Sequence, residues 1–168
     1  LAIDMGQMGG MYSGLISMVG TEAGVGVRNQ GGQLQADKSL TVSSEGKLIW
    51  RSGTQAPVTQ AGGDIRLTAR DDIEHQGKLH SGGTLTVDSR TGALKQSGTL
   101  AAAGNVQLNA ARGIQSDGHL LAGSDINSKL VRESDLTLNS QGNIRASGSL
   151  LSKKDVTLSG QQVDISQA

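Results

Sequence analysis

The residues best suited to acid–base chemistry cluster in one short stretch, where Asp71, Asp72 and Glu74 precede His75. Paired carboxylates hydrolyse glycosidic bonds when they are held at a suitable separation across a cleft. Here the acidic residues lie next to one another on one predicted turn, and no second such group recurs one or two repeats away. We therefore predict a solvated turn. The alternative is a β-helical polysaccharide-degrading enzyme in which Asp72, Glu74 and His75 converge in a cleft.

Metal and cofactor chemistry has little support in the sequence. The chain has three histidines and no cysteine, and no Cys, Asp or Glu joins His80 or His119 at the spacing of a zinc site. The segment 62-GGDI-65 echoes a calcium-binding repeat, but it occurs once and without the recurring aspartates. No GxSxG elbow is present. We predict no catalytic residue, no metal and no cofactor.

Composition excludes several other classes of protein. The 168 residues include 25 Gly, one Pro and no Phe, and the formal net charge is zero. Scattered basic residues in a neutral chain argue against nucleic acid as a partner. No apolar run approaches the roughly 18–20 residues that span a bilayer. The chain starts at Leu1 without a charged leader, from which we expect a fragment of a longer protein.

Internal repeats are the main signal in the sequence. An apolar-x-apolar step recurs about every 20 residues and is followed by a turn and further aliphatic positions. The first position of the step is Leu40, Ile65, Leu85, Val106, Leu136 and Val156. The second aliphatic position is Leu48, Ile73, Leu94, Ile114, Ile144 and Val163, and the third is Leu34, Leu79, Leu100, Leu120 and Leu150.

These columns predict the fold. Short alternating segments bounded by Gly or polar residues are typical of strands with one buried face, and three strands within each repeat leave no room for a helix. A single coil cannot bury its own aliphatic residues, so the coils must stack. We predict an all-β, right-handed parallel β-helix, because parallel crossovers favour that hand. Glycines such as Gly77, Gly98, Gly118 and Gly148 would form its corners.

Two steps are longer than the repeat. The steps from Val42 to Leu67 and from Leu108 to Leu138 both exceed the common spacing, which places irregular segments near 54–60 and at 123–135. The second segment could be a loop or an irregular coil. Loops on a rigid scaffold often bind partners. The candidate binding residues are Thr54, Gln55, Pro57, Asn127, Lys129, Arg132 and Glu133.

Two leucines bear on the second insertion. Leu121 and Leu151 occupy equivalent outward positions in the repeat. Either they form a small exposed contact patch, or the 123–135 segment covers them.

A signature at the start of the chain points to a family. The stretch 9-GGMYSGLISMVGTEAGVGVRNQGG-32 resembles the segment that follows the two-partner secretion domain in the filamentous haemagglutinin family, and the later coils resemble that family's haemagglutinin repeats. This division predicts first coils at 1–32 and repeat coils at 33–168 within one continuous domain.

The resemblance implies a piece of a long exoprotein at the surface of a Gram-negative cell, secreted through an outer-membrane transporter. It implies an adhesin or a contact-dependent growth inhibition effector, and the repeats do not choose between them. We predict a non-catalytic stalk segment, with a receptor- or glycan-binding module acting through the loops as the alternative. We expect a monomer whose open ends can stack end to end.

Overall fold

A computed structural model describes residues 2–4, 11–20, 26–30, 34–51 and 59–165, with side chains described at 17–20, 34–51 and 59–165. Every regular element in these ranges is a strand. The strands are β1 (Ala2–Asp4), β2 (Met11–Gly20), β3 (Gly26–Gln30), β4 (Leu34–Ser44), β5 (Leu48–Arg51), β6 (Thr59–Ala61), β7 (Ile65–Ala69), β8 (Ile73–Gln76), β9 (Lys78–Ser81), β10 (Leu85–Ser89), β11 (Leu94–Gln96), β12 (Thr99–Ala102), β13 (Val106–Ala110), β14 (Ile114–Ser116), β15 (His119–Ala122), β16 (Leu136–Ser140), β17 (Ile144–Ala146), β18 (Ser149–Leu151), β19 (Val156–Ser159) and β20 (Val163–Asp164).

The strands stack into three faces. The first face contains the C-terminal half of β4 followed by β7, β10, β13, β16 and β19. The second face is an eight-stranded sheet in the order β1, β3, β5, β8, β11, β14, β17 and β20. The third face contains the N-terminal half of β4 followed by β6, β9, β12, β15 and β18. All of these pairs are parallel, so the chain is a β-solenoid and the prediction of a parallel β-helix is confirmed.

The strand register reproduces the repeat columns. Ile65 pairs with Leu85 and Leu85 with Val106, so residues one repeat apart in the chain lie side by side on adjacent strands. The second-face column runs without interruption from Leu48 to Val163. The column residues are fully buried through the middle of the rod, whereas Val156 and Val163, in the final described strands, are 42% and 43% exposed. The aliphatic columns are therefore the core of the rod.

Serines close the corners between the first and second faces. The hydroxyl of Ser89 accepts the N–H of Gly92 at 3.1 Å, and the hydroxyl of Ser140 accepts that of Gly142 at 3.0 Å. Both serines are buried at the end of a strand, where a larger side chain would fill the space that the turn occupies. The position is small in each of these coils, as Ser44, Ala69, Ser89, Ala110 and Ser140.

Glycines at the corner between the second and third faces are required for two reasons. Gly77 has a φ of 88°, a conformation that L side chains rarely adopt. At Gly98, Gly118 and Gly148, a Cβ would collide with the backbone carbonyl of the glycine in the preceding coil. The corner glycines thus allow successive coils to stack closely.

The third-face column contains one residue that the repeat pattern missed. Thr59 lies between Leu34 and Leu79 in register and is fully buried. Its Oγ1 accepts a hydrogen bond from Nε1 of Trp50 at 2.9 Å across the interior of the coil. A threonine therefore fills an aliphatic position and also satisfies the only tryptophan.

Only the second of the two insertions lies fully within the described residues. Residues 52–58 lie outside the described ranges, and Thr59 and Gln60, which the sequence placed at the end of this loop, belong to β6. The 123–135 segment is described completely and interrupts the corner between β15 and β16.

Nowhere in the described ranges is there a helix long and apolar enough to cross a membrane.

Candidate functional site

The 123–135 insertion is a compact hairpin rather than an irregular coil. Ser124 forms an isolated antiparallel bridge with Leu130, and the N–H of Asp125 donates to the carbonyl of Lys129 at 2.8 Å. These contacts close residues 124–133 into a unit, called here the hairpin, that leaves the parallel ladder. Without the hairpin, three residues (Gly123, Ser134 and Asp135) would connect Ala122 to Leu136. The corner of an ordinary coil has the same length.

Asp125 organises the tip of the hairpin. Its carboxylate accepts the backbone N–H groups of Asn127 at 2.9 Å and of Lys129 at 3.0 Å. The hydrogen bond from Lys129, together with weaker contributions from Asn127 and from the charges of Lys129 and His80, lowers the pKa of Asp125, although desolvation opposes the shift. Ser128 completes the turn with a φ of 66°. The tip is therefore held by the side chain of one residue.

The base of the hairpin is tied to the corner from which it leaves. Gly123 has a φ of 79°, and its carbonyl accepts the N–H groups of Val131 at 2.7 Å and Arg132 at 3.1 Å. The chain then rejoins the ladder at Asp135, whose N–H donates to Oδ1 of Asn105 at 2.9 Å. Both ends of the hairpin are thus fixed to the coil below.

The hairpin lies on the outer side of the third face and contacts earlier coils. Nε2 of His80 donates to the carbonyl of Ser124 at 2.8 Å, and Nζ of Lys78 donates to the carbonyl of Ile126. Because a carbonyl can only accept, His80 carries a proton on Nε2. Both side chains project from β9, so the hairpin reaches back across two coils.

The strip beneath the hairpin consists of one histidine and two apolar residues. His80 pairs with Ala101, and Ala101 pairs with Leu121. The three side chains point outwards, yet His80 is 8% exposed, Ala101 0% and Leu121 2%. Leu151, the next residue of this column, is 43% exposed. Of the two possibilities in the sequence, the structure shows burial for Leu121 and exposure for Leu151.

The outer surface of the hairpin carries the predicted candidate residues. Asn127, Lys129, Arg132 and Glu133 are all exposed, and Val131 between them is 54% exposed. The remaining candidates, Thr54, Gln55 and Pro57, lie outside the described residues. The hairpin therefore presents both signs of charge, an amide and one apolar side chain from a fixed backbone.

The acidic corner does not assemble an active site. Oδ1 of Asp72 accepts the N–H of Ala93 in the next coil at 2.9 Å. Glu74 is exposed on the outside of β8, whereas His75 is buried on the inside. Because neighbouring residues of a strand point to opposite sides, Glu74 and His75 cannot converge on one substrate.

The calcium-like GGDI segment has a structural role. Oδ1 of Asp64 accepts the N–H of Thr84 at 2.8 Å, so this carboxylate links one coil to the next. Across the part of the chain that the structure describes, no three His, Cys, Asp or Glu side chains are grouped so that they could hold a metal ion.

The remaining histidines occupy different environments. His119 is exposed, with Nδ1 3.0 Å from Oγ of Ser149 on the adjacent coil. His75 is enclosed in the core, where Nδ1 lies 2.8 Å from Oε1 of Gln96. Desolvation lowers the pKa of His75 from 6.5 to about 4, although the hydrogen bond to Gln96 acts in the opposite direction. His75 is therefore neutral at physiological pH.

Comparison with known sequences agrees with this architecture. The haemagglutinin-repeat profile matches residues 19–77, 54–95, 80–148 and 143–168, and so covers the chain continuously from residue 19. The chain belongs to the filamentous haemagglutinin family. The matches overlap, the longer ones span several coils of the solenoid, and the predicted membership of this family is confirmed.

Several long bacterial toxins contain a similar segment. The 16S rRNA endonuclease CdiA of Enterobacter cloacae is 28% identical over 97% of the chain. The tRNA nuclease CdiA of Escherichia coli strain 536 is 31% identical over 97% of the chain, and that of strain NC101 is 36% identical over 60%. The chain spans only 3–5% of the length of these relatives. No solved structure matches it.

Proposed function

We propose that this chain is a non-catalytic stalk segment of a secreted, cell-surface filamentous adhesin or toxin-delivery protein. The supporting observation is the continuity of the inward columns and parallel ladders from β4 to β20, which makes a stiff spacer of repeating coils. The relatives are named as toxins and nucleases, and in a stalk the activity of the parent protein would reside outside these coils.

The parent protein would require export. We propose that an outer-membrane transporter of the two-partner secretion type carries it to the surface of a Gram-negative cell. Each coil depends mainly on its neighbours, so folding can proceed coil by coil as the chain emerges. We also propose that residues 1–32 form the first coils of the same domain as residues 33–168. The pairing of β2 with β4 and of β3 with β5 supports this continuity.

A second candidate function is contact with a receptor or glycan through the hairpin. The observation that favours it is pre-organisation: Asp125, Gly123, Lys78 and His80 hold the backbone, while Asn127, Lys129, Arg132 and Glu133 remain exposed. A loop that is ordered before binding loses less conformational entropy when a partner docks.

One experiment in the parent protein separates the two functions. Residues 65–122 are replaced by coils of equal number from another haemagglutinin-repeat protein, and in a second variant residues 124–133 are deleted. A stalk predicts that adhesion or growth inhibition of target cells survives both changes, provided that surface display is equal. Loss of activity on deletion of the hairpin would support the binding module, whether or not exchange of the coils, which removes Lys78 and His80, also lowers activity. Loss only on exchange of the coils, with display intact, would contradict the spacer function.

A further inference from the structure

The aliphatic columns do not by themselves specify which coil stacks on which. Leu40, Ile65, Leu85, Val106 and Leu136 are similar in size and chemistry, and the other two aliphatic columns are also uniform except for Thr59. If the coil of Gln96 were looped out and its neighbours paired directly, the aliphatic residues of these neighbours would still face one another. A repeat protein therefore needs some other feature to exclude such slipped stacking.

One inward column differs from coil to coil. On the second face, the residue two positions after the aliphatic one is Trp50, His75, Gln96, Ser116 and Ala146 in successive strands. Each is at most 2% exposed. The other buried inward positions of the described coils hold aliphatic residues, serines or Thr59, so this column carries the large polar groups of the core.

The hydrogen bonds of this column are specific to the order of the coils. Oε1 of Gln96 accepts the N–H of Gly98 at 2.8 Å, and Nε2 donates to the carbonyl of Gly98 at 2.7 Å. The amide is therefore oriented by its own corner, with Oε1 turned towards the coil of His75. Since Oε1 is an acceptor, Nδ1 of His75 carries the proton that joins them.

A slipped stack would break this match. If the coil of Gln96 were looped out, His75 would face Ser116, whose side chain is too short to take the place of Gln96. The Nδ1–H of His75 would then be buried without a fixed acceptor, in addition to Nε2, which has no partner in the native stack. A buried donor without a partner carries its full desolvation penalty, so the slipped stack is disfavoured.

We infer that the buried His75–Gln96 pair fixes the order in which the coils stack. Buried polar pairs are best known for setting register in structures whose apolar contacts alone permit several alignments. The same function explains why a core built from interchangeable coils contains a histidine and a glutamine on adjacent strands.

Disulfide trapping in the complete chain tests this inference, because the chain has no cysteine of its own. Arg66 and Thr86 are adjacent in the native register and project outwards from the first face. Gln107 follows Thr86 by one coil, so its Cα lies about 9.6 Å from that of Arg66, beyond the reach of a disulfide. R66C/T86C therefore reports the native stack and R66C/Q107C the slipped one.

The reporters are refolded from denaturant in the H75L/Q96L background. The control background is I73L/L94I, a volume-conserving exchange in the same two strands. We expect the slipped cross-link to rise at least about tenfold in H75L/Q96L, which corresponds to the loss of one discriminating interaction of about 1.4 kcal/mol. In the I73L/L94I control, the amount of the slipped cross-link should equal that in the otherwise unmodified chain.

A second variant covers the case in which the double substitution does not fold. In H75L alone, Gln96 keeps its hydrogen bonds to Gly98 and the coil is left without an unpaired donor. Its slipped cross-link should rise as well. If the native reporter cross-links fully in either variant and the slipped reporter stays at the control level, the inference is wrong.

Discussion

Two histidines on consecutive strands are buried on opposite sides of the solenoid wall. His75 on β8 points into the solenoid and is enclosed by the column of Trp50 and Gln96. His80 on β9 points outwards and is covered by the hairpin, to which its Nε2 donates. Burial of His75 is a property of the coil, whereas burial of His80 depends on a segment inserted much later in the chain, between β15 and β16.

The two histidines belong to two levels of structure, the interior of the rod and its outer covering. The interior of the rod is formed mainly by aliphatic contacts that recur from coil to coil, and truncation of a buried aliphatic side chain there opens a cavity. The outer hairpin is an addition that covers one strip of the third face. Interior substitutions should therefore affect the stability of the whole rod, and substitutions beneath the hairpin should affect mainly the hairpin.

The largest expected difference concerns two adjacent leucines of β15. Leu120 is fully buried inside the rod and Leu121 is 2% exposed beneath the hairpin. We expect L120A to lower the free energy of unfolding by about 4 kcal/mol, because the stacked coils cannot collapse into the cavity. We expect L121A to lower the free energy of unfolding by about 2 kcal/mol, which is the free energy of burying the lost apolar surface. No cavity is added to this loss, because the hairpin can move onto the smaller side chain.

Denaturant unfolding of both variants measures this difference, and deletion of residues 124–133 sharpens it. In the deleted chain L121A should have almost no effect, since Leu121 is then exposed in both states, while L120A should keep its full effect. If L120A and L121A lowered the free energy of unfolding equally, both in the complete chain and in the chain lacking residues 124–133, the distinction between interior and outer burial would be wrong.

The next effect is the response to acid. His75 remains neutral in the folded rod down to pH about 4, whereas the unfolded chain binds a proton at its ordinary pKa of 6.5. The unfolded state therefore binds more protons between these values, and stability falls as the pH falls from about 6.5 to 4, by about 3 kcal/mol in total. The nearby charged residues Arg51, Glu74, Lys95 and Asp117 are all exposed.

Stability measured as a function of pH in H75L and H119Q distinguishes this origin from others. H75L should lose the His75 part of the acid sensitivity, because leucine has no proton to bind. H119Q should retain it, since His119 is exposed. An unchanged pH profile in H75L would show that burial of His75 is not the cause.

A smaller effect is expected at the contact between the hairpin and β9. K78M removes the hydrogen bond to the carbonyl of Ile126 and keeps the aliphatic part of the side chain. Global stability should fall by about 1 kcal/mol or less. Trypsin cleavage after Lys129 should become several times faster, because the hairpin opens more often. K95M, on the exposed second face, is the matched control and should leave the cleavage rate at Lys129 unchanged.

The smallest effect is expected at the tip. D125A removes the acceptor for the N–H groups of Asn127 and Lys129 and should increase proteolysis within the hairpin without changing the unfolding transition of the rod. D125N keeps an acceptor oxygen, so its rate of proteolysis within the hairpin should lie between those of D125A and the unmodified chain. A shift of the main transition in D125A would indicate that the tip is coupled to the core.

The repeat columns could be predicted from the sequence because stacking forces each inward position to recur. Spacing alone identified the columns of Leu40, Leu48 and Leu34 and the corner glycines. Thr59 was missed because it is polar, although it lies one repeat length before Leu79, with which it pairs. A search by spacing without regard to polarity would have found it.

The hairpin could not be predicted in the same way. Its contacts with Lys78 and His80 join residues 44 to 48 positions apart and follow no period. The length and place of the insertion were evident from the repeat, but whether it was a loop or a coil stayed open, because Ile126 and Leu130 fit either. One local sign of the position of the hairpin was present in the sequence. The outward column of the third face contains His80, Ala101 and Leu121, whereas the outward columns of the other faces contain longer polar residues.

Hydrogen exchange of the chain lacking residues 124–133 tests most directly whether the coils alone form the rod. The deletion leaves the corner Gly123-Ser134-Asp135, equal in length to Gly82-Gly83-Thr84 of an unmodified coil. We predict that the amides of β9, β12 and β15 keep the protection that they have in the complete chain. Loss of protection in these strands, with the strands of the second face also exchanging faster, would show that the hairpin is an integral part of the rod and would contradict this account.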